Sequence, residues 1–263
     1  MSVWRLLKLK TCNGYENMAI DEAVLTARIK GLVPNTLRLY RWKPSVVSIG
    51  RFQNIENEVQ LGNCRKQGVD VVRRITGGGT VYHDCEDEIT YSVVASKHDL
   101  GTSDIAATYA ILYDGLAEAL RTLGVAADFS EGNAKTCPNL TVSGKKVSGS
   151  AQTHKVGVVL QHGTLLLDID FEKMFSLLCV PWAKSCVEVI SIAKDKMTSI
   201  NRELGREVAV EEATQALIKG FARALHIELV ESEMIPYELE LAEKLQKEKY
   251  ARDEWNCGKT SLD

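Results

Sequence analysis

Val71-Val72-Arg73-Arg74-Ile75-Thr76-Gly77-Gly78-Gly79-Thr80-Val81-Tyr82-His83-Asp84 sets the organisation of the whole chain. A β-branched run ends in two arginines, three glycines turn the chain, and a second β-like run leads into His83 and Asp84. Glycine tolerates positive φ and has no side chain, so three in a row let backbone pass close to a ligand. Amides at such a turn form a nest for anionic oxygens, and adjacent arginines add charge-assisted hydrogen bonds. A bare glycine run more often marks a tight hairpin. Arginines on one side and His-Asp on the other favour a ligand-facing turn.

Outward from this turn, residues 37–40 alternate as a half-buried strand, and 45–49 form another that ends in the polar loop Gly50-Arg51-Phe52-Gln53-Asn54. Residues 3–9 read as a strand. Asn13 and Asn17 then precede a helix with Met18, Ala19, Ala23, Val24 and Ala27 on one face, and Asp21 and Glu22 are placed on its solvated side. A short helix covers 57–67, a β-rich run 89–94, and an amphipathic helix 109–123 closed by Gly124. Residues 128–139 read as a loop holding Cys137. Leu140 to Gln152 reads as strand, glycine turn and strand, with a lysine pair opening the second strand. A long strand at 158–168, helices at 171–178 and 210–225, a strand at 227–230 and a charged helix at 237–250 complete the pattern. One α/β (α+β) domain spanning 1–263, with a mixed, largely antiparallel sheet, accommodates them.

At 263 residues and 45% hydrophobic, the chain buries a substantial core. A net charge of −3 and a pI near 6.0 argue against general nucleic-acid binding. No apolar run is long enough to span a bilayer, and residues 1–10 lack a signal-peptide core. Seven dispersed cysteines without a CxxC pair fit reduced thiols of the cytoplasm better than a disulfide framework or a structural zinc site.

The glycine-lysine pairs at Gly144 and Gly258 lack the first glycine of a Walker A loop, and no GxGxxG, HExxH or GxSxG is present. The remaining parts suit activation of a carboxylate by ATP. A single lysine offsets the charges of carboxylate and α-phosphate and stabilises the charge that grows between them. Lys145 and Lys146 are adjacent in a strand, so they face opposite sides and one of them enters a shared pocket. Two solvated turn lysines are the commoner arrangement; the small residues flanking this pair favour a ligand site.

Four blocks then identify a resemblance to the lipoate–protein ligase A family, within the wider group of biotin ligases and lipoyl or octanoyl transferases. Arg73 to Asp84 is similar to its RRxTGGGxVxHD block and Gly144 to Ala151 to its GKKxSGSA block. His162 to Leu167 is similar to its HGTLLL strand, and Ile49 to Gln53 to its IGRxQ loop. The similarity runs from about residue 3 to the end. It implies the fold of class II aminoacyl-tRNA synthetases and biotin–lipoate ligases, with a mixed sheet covered by helices. It also implies two half-reactions: lipoate and ATP with Mg2+ give lipoyl-AMP, and the lipoyl group then passes to a lysine of a carrier domain. Those carriers are the lipoyl domains of 2-oxoacid dehydrogenase E2, the glycine-cleavage H protein or a related carrier.

By the same resemblance, Lys146 is the catalytic lysine, and Arg74 with the backbone of Gly79, Thr80, Val81 and Tyr82 holds the nucleotide. Gly77 and Gly78 make room for the acyl chain or for the turn itself, and Ser150 and Ala151 complete the lipoyl-AMP site. Arg73, His83, Asn139 and His162 are secondary candidates, and the metal ligands are unknown. Pro138-Asn139-Leu140 stands where bacterial ligases have Asn-Asp-Leu, which weakens Asn139 as a metal ligand. The chain stops where bacterial ligases continue into an accessory domain, so a monomer served by a separate accessory protein for adenylation is expected. The main alternative is a cysteine-dependent octanoyl- or lipoyl-transferase fed by an acyl-carrier thioester. Cys137 would be its nucleophile, activated by Lys146, although such transferases place their cysteine further upstream of the lysine. A non-catalytic lipoyl-domain-binding relative is the third reading. A biotin ligase is disfavoured because the GRGRRG-type loop is absent.

Overall fold

The computed structural model describes residues 1–132, 138–180, 183 and 185–258; Cys137 and the role read for it lie outside them. In chain order the elements begin with β1 (Ser2–Cys12), α1 (Gly14–Ile29), β2 (Thr36–Trp42), β3 (Val46–Ile49), α2 (Ile55–Glu58), α3 (Leu61–Gln67), β4 (Asp70–Arg73) and β5 (Val81–His83). Next come β6 (Glu88–Ser96), α4 (Ile105–Leu123), β7 (Asp128–Ser130), β8 (Asn139–Val142), β9 (Lys145–Lys155), β10 (Val158–Leu166) and α5 (Phe171–Leu177). The chain continues through α6 (Cys186–Lys196), α7 (Ile200–Leu204), α8 (Val210–Ala224), β11 (Ile227–Glu231), α9 (Pro236–Leu245), a π-helical turn (Gln246–Tyr250) and α10 (Asp253–Asn256).

Among the described residues, an 8-stranded sheet runs in the order β11-β1-β2-β6-β10-β9-β8-β7. β1 pairs parallel with β2 and β11, and the other pairings are antiparallel. This is the mixed, mainly antiparallel sheet expected from the sequence. Strand alternation divides its side chains between two helical layers. Ile89, Tyr91, Val93 and Ala95 of β6 face α4 and α8, in the core that holds Tyr113, Leu116 and Phe221. On the opposite face Val94, Val158 and Leu160 meet Ile20, Ala23 and Val24 of α1 and Ala242 of α9.

The stretch at the glycines is not a hairpin. β4 and β5 both pair with β3, parallel and antiparallel respectively, in a separate 3-stranded sheet ordered β4-β3-β5. The glycine turn therefore crosses the end of β3, and a Cβ on Gly50 would sit 2.1 Å from the carbonyl oxygen of Gly78. Only glycine permits this crossing.

Three other readings change. The region 128–139 opens with a short edge strand, β7, which pairs with β8; three residues are too few for alternation to show. Asp21 is buried, at 1% exposure, because Arg38 meets it from β2. Glu22 accepts from Lys249 and Tyr250, each at 2.6 Å, tying α1 to the π-helical turn. No helix among the described residues is long and apolar enough to cross a membrane.

Candidate active site

A cavity of about 110 Å³ opens beside Met18, near the start of α1, and against Gly78 to Val81 of the glycine turn. Its floor is a row of residues in register across neighbouring strands. Tyr40 of β2 lies opposite Thr90 of β6, and Thr90 opposite Thr164 of β10. One step along, Gly163 pairs with Ser150 of β9. Directly opposed residues share a face, so the two threonines and Gly149 leave a trough between bulkier walls. Tyr40, Trp42 and Met18 stand at one end, and Lys146, Asn139 and Gly149 at the other. Three strand spacings separate β2 from β9, or roughly 14 Å.

Lys146 enters this cavity and Lys145 does not; Lys145 Nζ turns away to the carbonyl of Lys194 at 3.4 Å. The backbone of Lys146 is fixed by Thr198, whose N–H donates to its carbonyl at 2.9 Å. A Cβ on Gly149 would lie 2.6 Å from Lys146 Nζ and 3.6 Å from Asn139 Oδ1. The ammonium thus rests over the bare α-carbon of Gly149.

Gly78, Gly79, Thr80 and Val81 line the opening, and Ser150, Ala151, His83 and His162 line the walls. Gly77 and Tyr82 do not line the cavity. Tyr82 packs into the core beneath β3 and donates to Asp84 at 2.6 Å. Arg73 is fully buried away from the cavity and donates to carbonyls of Gly50, Arg51, Gln53, Trp255 and Asn256. It clamps the C-terminal segment onto the loop after β3.

Arg74 does line the cavity, yet its guanidinium serves the fold. Nε donates to Thr76 Oγ1 at 3.2 Å, Nη1 to the carbonyl and hydroxyl of Ser48, and Nη2 to the carbonyls of Gly77 and Gly79 at 2.8 Å. All five of an arginine's donors are engaged in bracing the turn.

Each hydroxyl that Arg74 touches also meets a histidine. Ser48 Oγ lies 2.8 Å from His83 Nε2, and His83 Nδ1 lies 2.7 Å from Glu88 Oε1. Thr76 Oγ1 lies 2.8 Å from His162 Nε2, and His162 Nδ1 lies 3.1 Å from Asp21 Oδ2. Burial pushes the His162 imidazole below its ordinary value, outweighing the pull of Asp21. His162 is therefore neutral, with Nδ1–H donating to Asp21 and Nε2 accepting from Thr76. Burial opposes ionisation of Asp21 too, but Arg38 and the bond from His162 overcome it and hold the carboxyl below its usual range. Tyr40 and Ser92 also donate to Asp21, and Trp42 donates to Thr90 and stacks on His83 at 4.3 Å. Most polar groups of the walls are thus bonded to one another, although Glu88 Oε2 has no partner among the described residues, and the surface facing the cavity is mainly apolar.

Sequence reasoning missed Asp21, Ser48, Thr76 and Glu88 as supports of the site, and Met18, Tyr40, Trp42, Thr90 and Thr164 as its walls. Asp21 did carry a signal: it stands three residues from both Met18 and Val24, on the buried face of α1. Among the described residues, no group of three or more His, Cys, Asp or Glu side chains is placed to hold a metal ion.

A trough of mainly apolar surface with an ammonium at one end suits an elongated ligand with a polar head. The chain belongs to the lipoyl protein ligase A/B catalytic-domain family, whose model matches residues 13–222. Octanoyltransferase LipM of Brevibacillus brevis is 38% identical over 97% of this chain and 99% of its own length. LipM of Bacillus subtilis is 35% identical over 96% of this chain and 97% of its own. Among solved structures, the bi-partite lipoate protein ligase of Thermoplasma acidophilum matches with a TM-score of 0.85 at 30% identity, covering 100% of this chain and 99% of that one. Lipoate-protein ligase A bound with ATP matches with a TM-score of 0.85 at 31% identity, covering 99% and 100%.

These relatives correct the expectation of an ATP-dependent lipoate ligase, because full-length relatives at 35% and 38% identity are octanoyltransferases. The physical reason is that the blocks carrying the resemblance build the trough and place its lysine, and neither feature distinguishes adenylate from thioester chemistry. The ATP-binding and lipoyl-AMP readings lose their support with the ligase. So does the separate accessory protein, which was inferred only for adenylation.

Proposed function

We propose that this chain is an octanoyltransferase, moving a medium-chain acyl group from a carrier thioester to a lysine of a lipoyl carrier domain. The observation that carries the reading is the position of Lys146, its ammonium at the polar end of a trough that otherwise presents apolar surface. A thioester carbonyl beside Lys146 directs its alkyl tail along the threonine row toward Met18 and Trp42. Cys137 supplies the nucleophile; it stands nine residues before Lys146 and two before Asn139 in the chain, and Asn139 lines the cavity.

The thiolate of Cys137 attacks the thioester carbonyl, and Lys146 stabilises the oxyanion that forms. Collapse expels the carrier thiolate, which takes up a proton, and leaves an acyl-cysteine. The neutral amine of the acceptor lysine then attacks this second thioester, the Cys137 thiolate departs, and the amine proton is released. ATP and Mg2+ take no part. The acceptor is the E2 lipoyl domain or the H protein, and a thiol nucleophile fits action in the reducing cytoplasm. Intact mass after mixing with an octanoyl thioester tests the reading. An octanoyl adduct that is absent in Cys137→Ala supports it, and transfer at the wild-type rate by that variant overturns it.

A further inference from the structure

Tyr113 lies on α4, outside the cavity, and is fully buried. Its ring packs between Tyr109 and Phe129, with centroids at 6.1 and 5.5 Å. Its hydroxyl donates to the carbonyl of Pro138 at 2.9 Å. Burial raises the phenol well above its ordinary value, so it remains a donor. A peptide unit is planar. Fixing the Pro138 carbonyl therefore fixes the amide of Asn139 and the direction in which β8 begins. Asn139 pairs with Ser130 on one side and Gly149 on the other. Gly149 is the residue over which Lys146 Nζ rests, and Asn139 Oδ1 approaches the same point. Pro138 has no N–H, so this carbonyl is the one backbone hydrogen-bonding group through which that residue can be held.

We propose that Tyr113 is a positioning residue for the transfer reaction: its hydroxyl, through the Pro138 carbonyl, holds Asn139 beside Lys146 at the carbonyl end of the trough. The inference rests on the octanoyl-transfer reading for its activity, while its geometry stands independently. Loss of the hydroxyl leaves the ring in the core and lets the start of β8 swing, so Asn139 and Lys146 no longer share one arrangement. Binding of the acyl tail, which depends on the threonine row and the aromatic end, is untouched.

The test compares wild type, Tyr113→Phe and Leu116→Val, the last a core substitution on the same helix that does not reach Pro138. In Tyr113→Phe, kcat for octanoyl transfer falls about three- to tenfold, the scale of one lost hydrogen bond, while KM for the thioester is unchanged. Leu116→Val lowers the melting temperature and leaves kcat in place. In protein with 15N-labelled asparagine, the Asn139 side-chain amide signal moves in Tyr113→Phe and stays in Leu116→Val. Wild-type kcat in Tyr113→Phe, or equal kcat losses in both variants, overturns the proposal. If wild type transfers no octanoyl group, the functional reading has failed, and the Asn139 signal still decides on the anchor: unmoved, it overturns the proposal.

Discussion

Asp21 and His162, on α1 and β10, meet through Oδ2 and Nδ1 at 3.1 Å beneath the glycine turn. Their contact continues through Thr76 to Arg74, and from Arg74 through Ser48 to His83 and Glu88. One arginine thus stands between two hydroxyl–imidazole–carboxylate sets, and the turn that roofs the trough hangs from it. Rigid support of this kind lets a site bind an acyl chain in one orientation without paying for ordering at each turnover.

Replacing Asp21 with Asn keeps the shape and removes the charge that faces Arg38 at 2.7 Å. A buried guanidinium then lacks its partner, which costs on the order of 3–5 kcal/mol. Urea unfolding of Asp21→Asn measures this, and a loss under about 1 kcal/mol would contradict the buried-pair account.

Protonation of His162 opposes the fold. Its folded value lies below the ordinary 6.5 of a free imidazole because burial, with Arg74 and His83 nearby, outweighs Asp21. The unfolded chain therefore binds the proton more readily, and stability falls as pH drops from 6.5 toward the lower folded value. Above 6.5 this contribution is fully present. His154 is also lowered by burial, so His162→Gln reduces the acid slope of unfolding free energy between pH 6.5 and 5 without removing it. An identical slope in the variant would show that His162 does not titrate in this way.

Gly149→Ala places a methyl group 2.6 Å from Lys146 Nζ. The end of a lysine moves easily, so the fold survives while the ammonium leaves its place. Acyl transfer is expected to drop by about tenfold or more, on the scale of losing an oxyanion donor, with an unchanged melting temperature. Undiminished transfer would mean that the position of Lys146 over Gly149 does not matter.

Gly50→Ala has a different outcome because the atom it meets, the carbonyl oxygen of Gly78 at 2.1 Å, is backbone. The crossing of the two loops must open, at a cost of about 1–3 kcal/mol. Thermal unfolding and transfer activity should fall together; a stable variant with normal activity would contradict the crossing.

Strand alternation made it legible that one of Lys145 and Lys146 enters the cavity, and the resemblance of the block to GKKxSGSA pointed to Lys146, which does line it. The strand–turn–strand pattern from Leu140 to Gln152 and the helix that holds Met18 and Ala23 were equally open to reading. Arg74 shows where legibility stops: an arginine beside three glycines reads as an anion ligand, while the acceptors that also hold it come partly from distant parts of the chain. Its acceptors are Ser48, Thr76 and the turn's own carbonyls, and no local pattern announces such long-range partners. Asp21 shows the same limit, since Arg38 stands 17 residues away on another element. Reaction type was the hardest to read, because a trough ending in a lysine suits adenylate and thioester chemistry alike.

The most direct test offers wild type and Lys146→Ala an octanoyl-loaded carrier thioester and an unmodified lipoyl domain, with no nucleotide present. A parallel tube supplies free octanoate with ATP and Mg2+. The account predicts modification of the lipoyl-domain lysine in the first tube alone, with loss of most of it in Lys146→Ala. Modification only in the tube with ATP would contradict it.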